Sequence, residues 1–376
     1  MIRLLQFADV INRYDFIDTI VQYADSERFE MSVCRKTEKS NIAEPRFPDG
    51  TRHEIIEWNG QKQIPAAARR LSRLLGEWEI DIVHAHHFEP ALIAWLATRL
   101  NKRTKFVFGR HYSDLIQNLS GLKRRYFLAA EQMMNKAAER IIVPSTMIAG
   151  ILTEDQKIED SKIDIVPYGF AAEKYENVTE GQIAAAEEEF GLRGKFVVAT
   201  VGKLTAGKGV RYLADAAVKL SKRIDDLLVL FIGEGEERGY IESVIERHGL
   251  HEKVKIAGWR KDAMAVLAGA HVVVQPTLSE AFSQVMGEAM WMGKPLVMTE
   301  VSGATDIIET GVNGILIPKA SAEAIESSVL ILFEDEGLRV RIGNKGREFV
   351  ANELAIDKVI RLYEKSYLKA LARPTL

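Results

Sequence analysis

Short apolar runs alternate along the chain with longer segments of helical period, which is the pattern of an α/β protein with parallel sheets. Runs in the first half predict strands at Arg3–Phe7, Phe29–Cys34, Asp81–His84, Lys105–Gly109, Arg140–Pro144 and Ile163–Val166. Runs in the second half predict strands at Phe196–Val201, Leu227–Ile232, Val254–Ala257, His271–Gln275, Pro295–Met298 and Gly314–Ile317. Helical segments separate the strands, among them Ala91–Leu100 and Lys123–Ala138. Because the alternation occurs twice, the sequence predicts two doubly wound, Rossmann-like domains.

The division between the domains falls at a polar, glutamate-rich connector over residues 171–193. We therefore predict one domain over residues 1–170 and a second over residues 171–355, with a ligand cleft between them. A chain of 376 residues is too long for one typical hydrophobic core, which agrees with this division. The amphipathic segment Ile356–Leu371 follows the last strand and can pack as a helix on either domain.

Composition argues against several classes of protein. Cys34 is the single cysteine, so the chain forms no internal disulfide and no multi-cysteine metal site, and a reducing cytoplasm is the expected compartment. No apolar run reaches the roughly 18 residues of a membrane span. The apolar start Met1–Ala8 meets Asp9 without a cleavage-site pattern. We expect a cytoplasmic protein that is neither secreted nor integral to a membrane.

Basic residues are concentrated in the first domain. The formal net charge is -3, but residues 61–150 hold 14 Lys and Arg against 7 Asp and Glu, a surplus of +7. The basic run Lys123-Arg124-Arg125 lies in this stretch, next to the apolar residues 126–128. Two interpretations stay open: a solvated helix face, or a face that docks weakly on anionic lipid at the inner side of the membrane.

A glycine-rich loop with two lysines follows the first strand of the second domain, over residues 201–209, and precedes a helix near Val210. Glycine lets a backbone approach a ligand closely, and both helix amides and lysines supply positive charge, so the loop suits a diphosphate. It is not a Walker A motif, because Gly209 stands where that motif needs a hydroxyl. On this segment alone, an exposed strand-to-helix turn with solvated lysines explains the pattern equally well.

A second loop carries two glutamates. A predicted strand ends at Gln275, and the next helix is predicted to begin near Ser283. Glu280 then lies in the loop and Glu288 within the helix, eight residues later. Amides at the start of the helix would form an anion site beside the Glu280 carboxylate. A capped surface helix with solvated glutamates is the alternative.

The spacing of Glu280 and Glu288 resembles the Glu-x7-Glu signature of the family-4 glycosyltransferases, which are retaining enzymes of the GT-B fold. Other motifs resemble that family in the same order, namely Val166-Pro167-Tyr168-Gly169, residues 202–209, Gly233-Glu234-Gly235, Gly258-Trp259-Arg260, Gly293-Lys294-Pro295, Ser302-Gly303-Ala304-Thr305-Asp306 and Gly311-Val312-Asn313-Gly314. The resemblance implies two Rossmann-like domains facing across a cleft, and a C-terminal helix, residues 356–376, that returns to the first domain.

The resemblance also implies a role for each matching residue. Glu280 would contact the donor sugar hydroxyls and Glu288 the ribose, while Lys203 and Lys208 would bind the diphosphate. His111, which follows a first-domain strand, matches the histidine that lies close to the transferred sugar. Taken alone, a single histidine of this kind is more often structural or at the surface. The remaining donor-binding residues implied in this way are Gly202, Gly209, Gly233, Arg260, Phe282, Ser283 and Gln284.

Three further histidines, His84, His86 and His87, end the third predicted strand. They suggest a metal site, but no Asp-x-Asp or His-Glu-x-x-His pattern accompanies them, so no metal is predicted. We expect them to line the acceptor side of the cleft, with His86 as the acceptor-side residue, or simply to cap the strand.

The chain departs from the family pattern at three places. Lys203 replaces the usual arginine, which keeps the charge but loses the bidentate fork. Ser302 and Asp306 replace a glycine and a glutamate in a later loop. The first thirty residues contain no glycine, so the family's glycine-rich loop after the first strand is missing. Asn12 and Arg13 are the acceptor-side candidates to replace it.

Together these features predict a hexosyl- or related glycosyltransferase that needs no metal and no cofactor, because lysines and a helix N-terminus can stabilise the leaving diphosphate. Its predicted partners are a nucleotide-sugar donor and an acceptor glycan or glycolipid of the cell envelope, and not a nucleic acid. A small soluble acceptor, a phosphorylase or epimerase of the same fold, and an inactive partner subunit remain alternatives. The absence of Gly-x-Gly-x-x-Gly after the first strand argues against a dinucleotide-dependent dehydrogenase.

Overall fold

The computed structural model describes residues 1–9, 16–36, 47–113, 119–174 and 178–372. The chain divides into two compact units, residues 1–169 together with the segment that begins at Ile356, and residues 170–355. Asn12 and Arg13, the candidates for the missing glycine loop, lie outside the described residues.

Among the described residues, the first unit has a parallel sheet of seven strands. In chain order they are β1 Ile2–Ala8, β2 Phe29–Arg35, β3 Arg52–Ile55, β4 Ile82–His86, β5 Lys105–Gly109, β6 Arg140–Val143 and β7 Ile163–Ile165. Their order in the sheet is β3-β2-β1-β4-β5-β6-β7. Strands β2 and β3 are added on one side of β1, and strands β4 to β7 are added on its other side, so the strand order reverses between β1 and β4. Ligands of doubly wound proteins bind at such a reversal, beyond the carboxyl ends of the strands.

Strand β3 has no counterpart among the strands predicted from the sequence. Its four residues, Arg52-His53-Glu54-Ile55, pair with β2 at the edge of the sheet and are exposed or half-buried. An edge strand of this kind lacks the apolar run that marks a strand covered on both faces. The helices of this unit before residue 170 are α1 Phe16–Tyr23, α2 Ile64–Glu77, α3 Phe88–Leu100, α4 Gly121–Ala137 and α5 Thr146–Gly150.

The second unit also has a parallel sheet, with six strands in the order β10-β9-β8-β11-β12-β13 among the residues that the structure describes. These strands are β8 Phe196–Val201, β9 Leu227–Ile232, β10 Val254–Gly258, β11 Val272–Gln275, β12 Leu296–Thr299 and β13 Ile315–Ile317. The helices are α6 Glu180–Phe190, α7 Val210–Leu220, α8 Arg238–His248, α9 Ala263–Ala268, α10 Gln284–Trp291, α11 Ala304–Ile307, α12 Ala322–Glu334 and α13 Glu336–Glu353. Here the strand order reverses between β8 and β11, so the loops after these two strands lie at the ligand-binding position.

The connector over residues 171–193 contains a helix, α6. The helix is capped by Thr179, whose hydroxyl accepts from the Gln182 amide, while the Gln182 side chain accepts from the Thr179 amide. This capping box was readable in the sequence as a threonine followed three residues later by a glutamine.

The last helix, α14 Ile356–Ala372, packs in the core of the first unit. Its buried face, which joins a core cluster with residues of β1, β4, β5 and β6, consists of Val359, Ile360, Tyr363, Tyr367 and Ala370. The chain therefore returns to the unit in which it began. Both sheets confirm the predicted fold class, and no helix among the described residues has the length and apolarity that crossing a bilayer requires.

Candidate active site

Glycines bring the loops after β8, β9 and β11 into close contact in the second unit. A Cβ on Gly209, which has φ of +64°, would lie 2.0 Å from the carbonyl oxygen of Pro276. A Cβ on Gly233 would lie 1.8 Å from the carbonyl oxygen of Gly202. Gly202 itself has φ of +142° and open space on its Cβ side. Of these three predicted donor-binding glycines, Gly209 and Gly233 hold loops together, while Gly202 leaves its backbone open to a ligand.

The contact between the loops brings together two residues that lie 72 positions apart. The hydroxyl of Thr277 donates to the Gly207 carbonyl at 3.1 Å, and the Leu278 amide donates to the same oxygen at 2.8 Å. This tie places the ammonium of Lys208 in an ion pair with the carboxylate of Glu280. Their side chains are 35% and 21% exposed, so both remain accessible to a ligand.

Helix α10 begins at Gln284, one residue after the predicted start near Ser283. Ser283 is its N-cap residue, and the serine hydroxyl accepts from the Met286 amide at 3.3 Å. Phe282 is buried, and its ring packs against Gly303. A Cβ at position 303 would lie 2.8 Å from the Phe282 Cδ2 atom, so a larger residue would not fit there without a shift. The positive end of the helix dipole therefore lies next to the Lys208–Glu280 pair.

Three predicted donor residues differ in their accessibility. Gln284 is exposed at the start of α10, and Glu288 is half-buried one turn further along. Lys203 is exposed in the loop after β8. The second unit therefore brings together the ammonium of Lys208, the carboxylate of Glu280 and the N-terminus of α10. Lys203 lies on the same loop as Lys208.

Arg260, a predicted donor-binding residue, is paired with two carboxylates. Its guanidinium binds both carboxylate oxygens of Glu189, at 2.6 and 2.9 Å, and also binds the Asp262 carboxylate at 2.8 Å. These carboxylates raise the pKa of Arg260 above its ordinary value. These hydrogen bonds use four of the five N–H groups of the guanidinium, and the role of Arg260 in donor binding remains a prediction.

In the first unit, three histidines form a cluster, His84 and His86 on β4 and His111 just after β5. All are buried, and a ligand nitrogen from each lies within 4.8 Å of the others. Gly109 makes this packing possible, because a Cβ there would lie 2.6 to 2.8 Å from a nitrogen of all three rings. Burial lowers the pKa of each histidine, and neighbouring histidines lower those of His86 and His111 further, so the cluster is uncharged at neutral pH.

The histidine cluster has the composition of a transition-metal site, although its members differ from the three histidines considered from the sequence. His111 takes the place of His87, which has φ of +67° and whose ring is steeply inclined to that of His111 at a centroid distance of 5.5 Å. The absence of a metal remains a prediction. Burial lowers the pKa of His87 to about 4.

A buried ion pair holds the segment around His111. Arg110 donates from Nε to the Glu131 carboxylate of α4 at 2.8 Å, with both side chains fully buried. The Tyr112 hydroxyl donates to the same carboxylate at 2.5 Å, and the Gln156 side chain donates to its second oxygen. The residues on both sides of His111 are thus fixed to α4.

The residues that surround the histidine cluster were not predicted from the sequence. Gln6 and Tyr367 contact His86 and His84, and Phe16 and Tyr168 pack against His111. The sequence did contain one indication of this network, since Gln6 is a polar residue in the middle of the apolar strand β1. Tyr367 lies 361 positions away from Gln6, so only the fold brings these two side chains together.

The two halves of the chain match two family models. Residues 16–174 match "Glycosyltransferase Family 4", and residues 183–349 match "Glycosyl transferases group 1". An uncharacterized glycosyltransferase of Methanocaldococcus jannaschii is 33% identical over 299 residues, which are 77% of this chain and 75% of the relative. The chain belongs to the family-4 glycosyltransferases.

A further relative and a solved structure extend the comparison. The UDP-Gal:alpha-D-GlcNAc-diphosphoundecaprenol alpha-1,3-galactosyltransferase of Escherichia coli is 24% identical over 301 residues, 78% of this chain and 77% of that enzyme. The crystal structure of the Anabaena protein HepE in complex with UDP superposes with a TM-score of 0.82 at 18% identity, over 98% of this chain and 100% of that one. The second similarity concerns the fold and confirms the two-domain GT-B architecture.

Proposed function

We propose that this glycosyltransferase transfers a sugar from a nucleoside diphosphate sugar to a hydroxyl of a lipid-linked or cell-envelope glycan, with retention of anomeric configuration and without a metal ion. The observation that carries the proposal is the Lys208–Glu280 pair at the strand-order reversal between β8 and β11. A phosphate needs a cation, and sugar hydroxyls need a hydrogen-bond acceptor. The pair supplies one of each beside a helix N-terminus.

Charge separation is the physical difficulty of the reaction. The anomeric carbon becomes cation-like while the diphosphate leaves with the bonding electrons, so the enzyme must stabilise the developing negative charge. Lys208, Lys203 and the N-terminus of α10 supply positive charge that is already in place. For this reason the proposal includes no divalent ion at the diphosphate.

The donor glutamates have separate tasks in the proposal. Glu280 orients the sugar hydroxyls and must leave Lys208 when the diphosphate binds. Glu288 contacts the ribose from within α10. His111 lies beside the transferred sugar, where an uncharged ring adds no repulsion to the cation-like carbon.

Relatives support the choice of donor and acceptor. The name of the Escherichia coli relative specifies a UDP-sugar donor and a diphosphoundecaprenol-linked acceptor, and the Anabaena structure contains UDP. A nucleoside diphosphate sugar and a lipid-linked acceptor are therefore the first pair to test with this chain.

The first experiment measures donor binding and then the product. Thermal shift with UDP-, GDP-, ADP- and dTDP-sugars selects the donor, and proton NMR of the product reads the anomeric coupling. We expect release of a nucleoside diphosphate, retention of configuration and full activity after exhaustive chelation. Turnover that requires inorganic phosphate would indicate a phosphorylase, and conversion of the donor without acceptor would indicate an epimerase. An inverted product would contradict retention.

The outer face of α4 supports a membrane-proximal acceptor. Leu122, Tyr126 and Met133 are exposed by 81%, 47% and 47%, and their helical spacing places them along one stripe. Lys123, Arg124 and Arg125 are exposed beside the start of this stripe. Apolar side chains flanked by cations suit the interface of an anionic bilayer, where each basic residue adds about 1 kcal/mol.

Cosedimentation with anionic and neutral vesicles at low and high salt tests this surface. We expect binding to the anionic vesicles alone, which weakens as salt screens the charges. The test variant replaces Lys123, Arg124 and Arg125 with alanine, and the matched control replaces Arg341, Lys345 and Arg347 of α13. Equal binding to both vesicle types, or equal loss in both variants, would favour a soluble acceptor.

A further inference from the structure

Gln6 connects the histidine cluster to the C-terminal helix. It is fully buried in β1, at the strand-order reversal beside β4. Its Oε1 atom lies 2.7 Å from Nε2 of His86, and its Nε2 atom lies 3.1 Å from the Tyr367 hydroxyl. Both ends of the carboxamide are therefore engaged, in a position where an apolar side chain would fit the strand pattern.

The carboxamide determines which nitrogen of each histidine carries the proton. Gln6 Oε1 can only accept, so Nε2 of His86 must donate to it. Nδ1 of neutral His86 then has a lone pair, and it lies 3.0 Å from Nε2 of His111. This bond requires a proton on Nε2 of His111. Nδ1 of His111 is left as an acceptor, 3.1 Å from the hydroxyl of Tyr168.

The other end of the carboxamide continues the same chain of bonds. Gln6 Nε2 donates to the Tyr367 hydroxyl, whose own proton then goes to Nδ1 of His84 at 2.9 Å. His84 therefore carries its proton on Nε2, which is buried and has no hydrogen-bond partner among the described residues. All three histidines have the same tautomer, and reversing the Gln6 amide would reverse all three together.

We propose that Gln6 is a positioning residue that fixes the tautomer of His111 through His86. The proposal rests on the proposed function in one respect, since it assumes that His111 lies beside the transferred sugar. With its protons arranged in this way, His111 donates from Nε2 to His86 and accepts at Nδ1 from the Tyr168 hydroxyl, so both ring nitrogens are held in place. An uncharged ring in a fixed orientation suits the cation-like carbon of the transition state.

The same three histidines could instead hold a metal ion, and the two arrangements require different protonation. The bond between His86 and His111 places a proton between two nitrogens that a metal would need as lone pairs. A stoichiometric zinc ion in the purified protein, lost when His84 is replaced by glutamine, would overturn the proposal.

Nitrogen NMR of the protein with labelled histidine tests the tautomers without any substrate. The two ring nitrogens of a neutral histidine have different chemical shifts, and these show which nitrogen carries the proton. From the hydrogen bonds described above, we expect His84, His86 and His111 to carry their protons on Nε2 at neutral pH. A proton on Nδ1 of His111 would overturn the proposal. This reading stays valid even if the protein transfers no sugar, so the failure of the proposed function is distinguishable.

Three variants connect the tautomer to the reaction. Gln6→Leu removes the acceptor, and we expect kcat to fall about 10- to 100-fold with little change in the donor KM, because the buried Nε2–H of His86 loses its hydrogen bond. Gln6→Glu keeps an acceptor toward His86, so we expect it to retain most of kcat. Its negative charge raises the pKa of the nearby histidines and moves the acidic limb of the pH profile upward.

Tyr363→Phe is the matched control for these variants. Tyr363 is buried on α14 one turn from Tyr367, and its hydroxyl has no hydrogen-bond partner among the described residues. We expect unchanged tautomers and an unchanged kcat in this variant. Wild-type kcat in a folded Gln6→Leu protein, or equal loss in Gln6→Leu and Gln6→Glu, would overturn the positioning role.

Discussion

Replacing Glu280 with glutamine should separate catalysis from stability. The Glu280 side chain is 21% exposed and its partner Lys208 is 35% exposed, so the ion pair is screened by water. A pair of this kind contributes up to about 1 kcal/mol to stability. The variant should therefore fold normally, with a free energy of unfolding within about 1 kcal/mol of the wild type.

The effect on turnover should be much larger. Glu280 is proposed to orient the sugar hydroxyls as positive charge develops on the ring. Losing one such interaction typically lowers kcat by about 10²- to 10³-fold, which corresponds to about 2.7–4 kcal/mol. The variant should not lose affinity for the free nucleoside diphosphate. Glutamine frees Lys208 from its carboxylate, so we expect an affinity that is unchanged or up to about fivefold tighter.

The assay combines three measurements on the same protein: nucleoside diphosphate release for kcat, calorimetry for binding, and denaturation for stability. Glu348→Gln is the matched control, because Glu348 forms an exposed pair with Lys345 on α13. A folded Glu280→Gln protein with near-normal turnover on its true substrates would show that Glu280 has been misassigned. Weaker diphosphate binding would show that the Lys208–Glu280 pair does not compete with the ligand.

Three further predictions concern charge. Lys208→Ala should weaken the donor and the free diphosphate together by at least about tenfold, since a hydrogen bond to a charged group contributes roughly 1.5–3 kcal/mol; calorimetry showing unchanged diphosphate affinity would place the phosphate site elsewhere. Glu131→Gln should lower the free energy of unfolding by about 3–5 kcal/mol, because it leaves the buried Arg110 without its counter-charge, whereas Glu348→Gln should change it little; denaturation that shows equal effects would contradict this reasoning. Burial, followed by a neighbouring carboxylate, raises the pKa of Asp9 from 3.8 to about 6, so its favourable contribution is complete below pH 3.8 and is lost as the pH rises through 6. Asp9→Asn should accordingly be more stable than wild type at pH 8, by up to about 2–3 kcal/mol, and lose this advantage at pH 3, as unfolding curves at the two pH values would show.

Local sequence determined most of the secondary structure. Strands covered on both faces require continuous apolar runs, and each of the twelve predicted strands has a counterpart in the two sheets. Ser283 marked the start of α10 because a side-chain acceptor is needed where helix amides lack partners. The edge strand β3 and the connector helix α6 were missed, since neither buries an apolar run of its own.

Sequence resemblance predicted a set of donor-binding residues, but it could not show which partners they have in the folded protein. Glycines placed two loops in contact and thereby joined Lys208 to Glu280, whereas Arg260 was bound by Glu189 and Asp262. These pairings depend on backbone approach over long separations, which no local pattern encodes.

The histidine cluster depended most on the tertiary structure. The sequence suggested that His86 and His111 lie near the same cleft, but it did not predict that their rings touch or that His84 joins them. Parallel pairing of β4 with β5 brought them together, and the return of α14 added Tyr367 to a network with Gln6. Buried polar groups need hydrogen-bond partners, and here the partners come from segments that are far apart in the sequence. The protonation of these rings therefore depends on the fold of the whole first unit.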